Sequence, residues 1–326
     1  MRPGMNRRAL IAGFAAGALW PAAASAQGYP TRPIKLFVPF PAGGPADLFA
    51  RVLGNSMSAE LGQQLVVENR AGVSGVTGVE AVARSAPDGY AIGLTGAAAL
   101  SAIPFMLSKM PFDWQHDLAL LTVVVRVPEV LVAHPSLAVN NLPELIAYAR
   151  ANPHKINYGS AGTGTITHLA MELLKTEAGL DLVHVPYRGA APAVNDLIGG
   201  HVQMAIFDTP VLLPHIRSSA VKALAVTSAT RSAALPEVPT TGEAGFAKVN
   251  SDNWYGLAAP AGVPADILDR LHKAAISALR SAELKRQFDS QDAVPAPTTP
   301  GEFAAFVKAE QAKWGPVVVA TGAKLE

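Results

Sequence analysis

Short apolar runs alternate with longer segments of helical periodicity through most of this chain. Residues 34–40 are apolar on both faces, which predicts a buried strand, and residues 46–61 follow with a helical pattern. Further strands are predicted at residues 65–68, 91–95, 118–125, 130–133, 155–158, 182–185, 204–207 and 222–226. Further helices are predicted at residues 76–85, 143–151, 165–178, 190–198 and 211–218. This alternation predicts an α/β fold with a mostly parallel sheet that is covered by helices on both faces.

The C-terminal part of the chain departs from this alternation. Residues 253–258 predict a strand, and three helices are predicted at residues 264–280, 283–291 and 300–321. No long linker interrupts the chain, so two lobes would be joined by short crossovers, for which residues 126–128 and 226–230 are the best candidates. This division predicts a discontinuous first lobe, residues 27–125 and 228–326, and a second lobe, residues 126–227.

The N-terminal residues predict an export signal. Arg2, Arg7 and Arg8 precede an apolar segment, residues 9–19, and residues 24–26 have the small side chains of a cleavage site. Residues 1–26 are therefore predicted to be a signal peptide, because the apolar segment is too short to span a bilayer. The adjacent arginines leave the twin-arginine route open, although the ordinary secretory (Sec) route is the preferred interpretation. Either route predicts a periplasmic protein.

Charge and composition exclude several classes of function. Without the leader the chain loses three of its 26 basic residues and none of its 25 acidic ones, which leaves a net charge of −2. A weakly acidic surface argues against nucleic acid and anionic membranes as partners. The chain has no cysteine, which excludes disulfides and thiolate chemistry. No histidine has the H-E-x-x-H spacing of a zinc site, so neither a metal nor a cofactor is predicted.

A glycine-rich turn follows the first predicted strand. Its candidate ligand-binding residues are Phe40, Ala42, Gly43, Gly44, Ala46 and Asp47. The first amides of a helix have no partner within the helix and carry the positive end of its dipole, so such a turn attracts anions. The alternative is an ordinary strand-to-helix loop without a ligand. The position beyond the carboxyl end of a strand favours the ligand.

A second turn of the same design follows the predicted strand 155–158. Its candidate residues are Ser160, Gly162, Thr163, Gly164, Thr165 and His168. Their amides and hydroxyls suit a carboxylate or a carbonyl, whereas the alternative is a helix start capped by threonine. No lysine follows the last glycine, and Tyr158 stands where a nucleophile elbow needs a glycine, so the turn fits neither a Walker loop nor that elbow. His168 is expected to pack or to form a hydrogen bond rather than to bind a metal.

Three other strand ends are candidates for the border of the same cleft. Thr95 and Gly96 end one strand, Tyr187 follows another, and Asp208 ends a third. Asp208 is expected to cap the helix that follows it, with contact to a ligand as the alternative. Arg188 either pairs with a carboxylate or lies on a solvated loop.

Several ordered segments carry a family resemblance. In the first predicted lobe they are YPTRPI at residues 29–34, VPFPAGGPAD at 38–47, VENRAG at 67–72 and APDGY at 86–90. They continue with NYGSAGTG at 157–164, HVPYRG at 184–189, LAVTS at 224–228, LPEVPT at 235–240, WYGL at 254–257 and APAG at 259–262. Together they resemble the Bug-type solute receptors, the extracytoplasmic binding proteins of tripartite tricarboxylate transporters. The similarity spans nearly the whole mature chain.

The resemblance implies a type II periplasmic-binding-protein fold, in which two α/β lobes enclose a ligand cleft. It implies capture of a small organic carboxylate (a di- or tricarboxylate, an aromatic acid or an amino acid) and delivery to the membrane permease subunits of the transporter. It also implies that residues 40–47 approach the ligand through backbone and water, that residues 160–165 and His168 contact it directly, and that Asp208 lies near the pocket. Relatives are often more polar at residues 96–99, so the alanines here favour a more apolar ligand.

A monomeric receptor that closes on a small carboxylate is the leading hypothesis. The same two lobes also suit a sensor that passes a ligand signal to a membrane kinase, and the sequence leaves this alternative open. A third hypothesis is a hydrolase in which Ser160 is the nucleophile, His168 the base and Asp208 the third member. The missing nucleophile elbow argues against it.

Overall fold

The computed structural model describes residues 28–325, so the predicted signal peptide lies outside the described residues. The strands are β1 (Ile34–Val38), β2 (Leu65–Asn69), β3 (Ala91–Gly96), β4 (Leu118–Ala133), β5 (Asn157–Ser160), β6 (Val183–Pro186), β7 (Met204–Asp208), β8 (Lys222–Val226), β9 (Asp252–Pro260) and β10 (Val294–Pro295). The helices are α1 (Pro45–Leu61), α2 (Val76–Ala83), α3 (Ala97–Ser101), α4 (Trp114–Asp117), α5 (Leu142–Ala151), α6 (Ile166–Ala178), α7 (Ala190–Ile198), α8 (Thr209–Arg217), α9 (Ala265–Arg280), α10 (Ala282–Asp289) and α11 (Pro300–Thr321). Within this part of the chain, no helix combines the length and the apolar character needed to cross a bilayer.

The strands form one sheet in the order β2-β1-β3-β9-β4-β7-β5-β6, with β8 and β10 paired to β4. Strands β2, β1 and β3 are parallel to one another, and so are β7, β5 and β6. Between these two groups, β9 and β4 run antiparallel to their neighbours. The predicted α/β class is confirmed, but the predicted mostly parallel sheet is wrong at the centre. The reason is that β9 returns from the C-terminal part of the chain and inserts between β3 and β4.

Strand β4 joins the two groups of parallel strands. The sequence predicted two strands separated at Pro128, whereas the structure has one strand of 16 residues. β9 pairs with β4 as far as Pro128, and β7 begins to pair at Glu129, so the proline stands where the partner changes. Two shifts of register before this point interrupt the regular pairing with β9. The lobe boundary at residues 126–128 stays a prediction, and it falls at this change of partner.

Local sequence determines where several helices begin and end. The predicted cap at Asn141 is confirmed, because its Oδ1 accepts a hydrogen bond from the Glu144 amide at 2.8 Å. Helix α1 begins with Pro45 and ends before Gly62, which adopts the left-handed conformation that favours glycine. Helix α11 begins with a reciprocal capping box between Thr299 and the residue three positions later. These helix ends therefore depend on short-range chemistry.

Apolar side chains pack on both faces of the sheet. On one face, α1, α9 and α10 cover the first strands, with Phe49, Leu271 and Phe288 in the core. On the other face, one core continues from α2, α3 and α11 to α6 in the second half. Its members include Trp254, Phe303, Trp314 and Leu169. Helices α7 and α8 cover the remaining face of β7. The C-terminal helix α11 therefore packs against both halves of the molecule.

Gly78 in α2 packs directly against the segment that leads into the first glycine-rich turn. A Cβ at this position would lie 2.5 Å from Cα of Pro39 and 2.9 Å from the carbonyl oxygen of Arg70. We expect Gly78→Ala to lower the free energy of unfolding by about 1–3 kcal/mol, as overpacking does. Gly301 in α11 is the control, because a Cβ there meets no atom within 4 Å. Gly301→Ala should leave urea-induced unfolding unchanged or stabilise the fold, and equal losses in both variants would contradict this account.

Candidate ligand-binding cleft

The strand ends of the first half converge around the ring of Phe40. A Cβ at Gly96 would lie 3.0 Å from this ring, and one at Gly75 would lie 3.4 Å from it. The ring of Tyr255 meets Phe40 edge-on, with 6.1 Å between centroids. The Tyr255 hydroxyl in turn lies 3.5 Å from Oδ2 of Asp208. Phe40 therefore connects the turn after β1 with the end of β3 and, through Tyr255, with the end of β7.

Ser74 joins the second glycine-rich turn to this group. Its Oγ donates to the carbonyl oxygen of Thr163 at 2.8 Å. Ser74 belongs to a run of four residues, 72–75, that all have positive φ. Within it Val73 (φ +43°) and Ser74 (φ +51°) occupy the left-handed region, which costs a residue other than glycine roughly 1–2 kcal/mol. The bond from Ser74 to Thr163 is one contact that offsets this strain. Ser74 was not among the predicted site residues, because no local sequence pattern indicates a hydrogen bond to Thr163, 89 positions away.

In the first turn, the amide of Gly43 forms a hydrogen bond within the turn. The amide of Gly43 donates to Oδ2 of Asp47 at 3.0 Å, and the same carboxylate accepts hydrogen bonds from Arg51 and Asn69. Burial alone would raise the pKa of Asp47, but the hydrogen bonds from Arg51, Gly43 and Asn69 hold it below its usual value. Asp47 therefore organises the turn. Among residues 40–47, the amides that make no hydrogen bond to residues 28–325 are those of Phe40, Ala42, Gly44, Ala46 and Asp47.

In the second turn, as in the first, some amides form hydrogen bonds within the turn and others have no hydrogen bond. Four of its amides bond within the turn or to its helix: Ala161 to Thr167 Oγ1, Gly162 to Ser160 Oγ, Gly164 to His168 Nδ1 and Thr165 to the Gly162 carbonyl. The Thr165 side chain donates to the Gly162 carbonyl at 2.7 Å and does not cap α6. Within the described chain, the amides of this turn without a hydrogen bond are those of Thr163, Ile166 and Thr167. The open donors of both turns therefore include first-turn amides of α1 and α6.

The structure does not form the arrangement of the hydrolase hypothesis. The Ser160 hydroxyl lies 2.7 Å from Nε2 of His184, a residue that the sequence analysis did not select. The ring of His168 stacks on His184 with 4.0 Å between centroids, and its Nδ1 accepts from Gly164. The carboxylate of Asp208 bonds to Asn253 instead. Ser160, His168 and Asp208 are therefore not joined by hydrogen bonds into a catalytic triad.

The two stacked histidines are uncharged near neutral pH. Burial lowers the pKa of His168 to about 4, although the nearby charge of Glu172 opposes this shift. Burial, followed by the charges of His168 and Lys175, lowers the pKa of His184 to about 3. His168 is buried, as the sequence predicted for a packed histidine. A neutral imidazole at His168 leaves Nδ1 free to accept from Gly164, so it holds the second turn in shape.

Asp208 does not cap α8, so that expectation is wrong. Its two carboxylate oxygens accept from Nδ2 of Asn253 at 3.0 and 3.1 Å, and the hydroxyl of Tyr255 lies nearby. Burial raises the pKa of Asp208, whereas the bonds from Asn253 and Tyr255 oppose the rise. Asn253 was missed, although it directly precedes the WYGL segment that carries part of the resemblance.

The other candidate residues occupy more varied positions. Thr95 is fully buried, and its hydroxyl has no hydrogen-bond partner within residues 28–325. The Tyr187 hydroxyl donates to Asp196 at 2.6 Å. Ala42 and Arg188 are exposed. Direct contact of these four side chains with a ligand stays a prediction.

Two further observations bear on the location of a site. Within the described chain, no three His, Asp or Glu side chains are grouped so that they could hold a metal ion. A groove of about 690 Å³ lies elsewhere, at the start of β4, and its lining includes Trp114, Leu268, His272 and Lys308. It contains none of the strand ends with open amides, so it is a separate feature.

Two groups of parallel strands that share β4 and β9, with open helix N-termini at the strand ends, define a two-lobed α/β binding protein. Solved structures of this class align over most of the chain. The periplasmic binding protein BugD is 35% identical, with a TM-score of 0.85, and the match covers 91% of this chain and 100% of BugD. An R. palustris protein solved with adipate is 33% identical, with a TM-score of 0.86 and coverage of 91% and 100%.

The chain belongs to the tripartite tricarboxylate transporter family receptors, whose match extends over residues 49–323. Protein BugT of Bordetella pertussis is 39% identical over 319 residues, which are 98% of this chain and 98% of BugT. The resemblance described from the sequence and the predicted two-lobed periplasmic-binding-protein fold are thereby confirmed.

Ser74 offers a test of the contact between the two halves. Ser74→Ala removes the bond to Thr163 but keeps the left-handed strain, so we expect the free energy of unfolding to fall by about 0.5–1.5 kcal/mol. Ser74→Gly removes the same bond and relieves the strain, so it should cost less than alanine. Urea-induced unfolding of the three proteins provides the measurement. An alanine variant as stable as the wild type would show that the bond contributes nothing.

His168 offers a test of the buried imidazoles. The unfolded chain binds a proton at this histidine near pH 6.5, whereas the folded chain does so only near pH 4, so acid favours unfolding. This site should remove about 2 kcal/mol of stability between about pH 7 and pH 5. His168→Gln keeps an acceptor for Gly164 and cannot titrate, so its stability should decline less over this interval. Parallel declines, measured by thermal or urea unfolding, would contradict a neutral His168.

Proposed function

We propose that this protein is a periplasmic solute receptor that binds a small organic carboxylate and delivers it to the permease of a tripartite tricarboxylate-type transporter. The observation that supports this most directly is the set of open amides in the first turns of α1 and α6. Backbone donors at helix N-termini attract anions through both hydrogen bonding and the helix dipole. Two such termini would each receive one carboxylate group.

The lining favours a ligand with an apolar centre. The ring of Phe40 lies against Gly75 and Gly96 near the strand ends, and residues 97–99 of α3 are alanines. Adipate, which is bound by one of the related proteins, has two carboxylates at the ends of a chain of methylene groups. A linear dicarboxylate of this type would place a charge at each helix N-terminus and its methylene groups beside Phe40. Neutral backbone N–H groups, rather than a charged side chain, would recognise the carboxylates, because the nearby Arg51 already forms an ion pair with Asp47.

Closure of the two lobes would complete the site. Ser74 and Thr163 belong to opposite predicted lobes, and their hydrogen bond would form only when the lobes approach. One of the two predicted crossovers between the lobes, residues 126–128, coincides with the change of partner along β4. Such a receptor would expose a different surface to the permease when the lobes are closed on a ligand.

We further propose that the site binds without catalysis, as a monomer. The Ser160 side chain is fully buried, and His184, its hydrogen-bond partner, has a pKa of about 3 because of burial. An imidazole that is so hard to protonate is a poor general base near neutral pH. The hydroxyl of Ser160 instead accepts from the Gly162 amide, which supports the turn.

Calorimetry with the mature chain tests the binding function. We expect adipate to bind more tightly than malate, and hexane-1,6-diol, which has the same length without charge, to give no heat. Binding of the dicarboxylate with a Kd of micromolar order or tighter is the expected result. If folded protein gives no heat with a panel of mono- and dicarboxylates, the proposal is wrong. Ester hydrolysis that is lost in Ser160→Ala would support an enzyme instead.

Ile166 permits a sharper test of the amide donors. It is the first residue of α6, where proline is well tolerated, and Thr165 before it has the extended backbone that precedes proline. Ile166→Pro removes one open N–H without breaking a helical hydrogen bond, so we expect the Kd for adipate to rise about tenfold or more. Ile166→Val is the control, because it also removes buried apolar volume but keeps the amide. Equal affinities in the two variants would count against recognition by this amide.

A further inference from the structure

Two carboxyl groups face each other behind the predicted cleft. Glu129 of β4 is directly opposite Asp208 of β7 in the antiparallel register, so both side chains lie on one face of the sheet. Glu129 is fully buried and Asp208 is 4% exposed. Oε2 of Glu129 accepts from the Ser251 hydroxyl, but Oε1 has no hydrogen-bond partner among residues 28–325. A buried carboxylate with no donor to one of its oxygens is costly, and protonation lowers this cost because it removes the negative charge.

The surrounding charges do not neutralise this pair. On β9, Asp252 adds a third carboxylate, which pairs with Arg126 of β4 at 2.6 Å, and Tyr255 contributes only a hydroxyl. On α11, Lys313 pairs with Glu310 at 3.4 Å. Within the described chain, no cation forms an ion pair with either Glu129 or Asp208.

Burial and proximity act in the same direction on Glu129. Burial, followed by the charges of Asp208 and Asp252, raises the pKa of Glu129 well above its usual value, and Ser251 and Lys313 oppose the rise only in part. Asp208 also has a raised pKa because of burial, but it accepts hydrogen bonds from Asn253 and Tyr255, which favour the charged form. The two groups therefore have different roles, with the proton on Glu129 and the charge on Asp208.

We propose that Glu129 and Asp208 form a proton-holding pair, in which Glu129 is protonated at neutral pH and binding of an anion in the cleft brings a second proton onto Asp208. The second half of this proposal rests on the proposed function. Asp208 contacts Tyr255, whose ring meets Phe40, so the carboxylate groups of a ligand whose methylene chain lies beside Phe40 would repel the negative charge of Asp208. The repulsion is relieved when Asp208 takes a proton from the buffer. Ligand binding then becomes tighter as the pH falls.

The ligand-free protein tests the first half. Infrared spectroscopy of the mature chain should show the C=O stretching band of a protonated carboxylic acid at neutral pH, and the band should disappear as the pH is raised toward about 9. Glu129→Gln should abolish the band. Glu310→Gln, which removes a buried carboxylate that already faces Lys313, should leave it unchanged. Asp208→Asn should preserve the band but let it disappear at a lower pH, because a neighbouring charge has been removed.

Stability gives a second readout if the band is hard to assign. The folded protein keeps the Glu129 proton at pH values where the unfolded chain has lost it, so this site makes the fold less stable as the pH rises from about 5 to about 8. Glu129→Gln should remove that part of the decline. The absence of the acid band at neutral pH in the wild type would overturn the first half. The same pH dependence of unfolding in wild type and Glu129→Gln would also overturn it.

Calorimetry tests the second half with adipate as the probe. Titration in two buffers with different enthalpies of ionisation should reveal uptake of up to about one proton, and the Kd should fall about threefold to tenfold from pH 8 to pH 6. Glu129→Gln should still take up the proton, whereas Asp208→Asn should not. Adipate binding with identical heats in both buffers would overturn the second half. An absence of any adipate heat would count against the proposed function, and the infrared result would still decide the first half.

Discussion

An α-helix cannot satisfy the amides of its own first turn, and the candidate site of this protein is organised around that constraint. Helices α1 and α6 both begin at the ends of parallel strands, and each leaves first-turn amides without a hydrogen bond to the described chain. The glycines before them do not supply most of these donors. Their left-handed conformations let the turns fold back so that Asp47 and His168 can hold them. The glycine-rich turns are thus scaffolds for the donors that follow.

Local features of the fold were predictable from the sequence because they depend on neighbouring residues. The alternation of strands and helices, the cap at Asn141 and the helix starts after Gly44 and Thr165 all belong to this class. The resemblance added the two-lobed architecture, which no single turn would have established. Features that depend on distant residues were predicted less well. The position of β9 between β3 and β4 was not predicted, since nothing local to residues 252–260 specifies their neighbours.

The site shows the same limit. The hydrolase hypothesis pairs Ser160 with His168, eight positions away, but the fold places Ser160 against His184, which is 24 positions away on the adjacent parallel strand. Asp208 has the local sequence of a helix cap, yet Asn253 of β9 holds its carboxylate. Ser74 could not be identified because its role depends on a contact with Thr163, 89 positions away. In each case a long-range partner overrides the local preference.

The place of β9 at the centre of the sheet has a consequence for the order in which the molecule can be assembled. Strands β3 and β4 are neighbours in the sequence but are separated by residues 252–260, so the two groups of parallel strands cannot share one sheet until that late segment is present. Non-local pairing of this kind is slow to form. A chain that is threaded through a membrane with its N-terminus first would therefore stay incompletely folded until most of it had passed. The strand order alone would therefore delay completion of the fold until most of the chain had crossed the membrane.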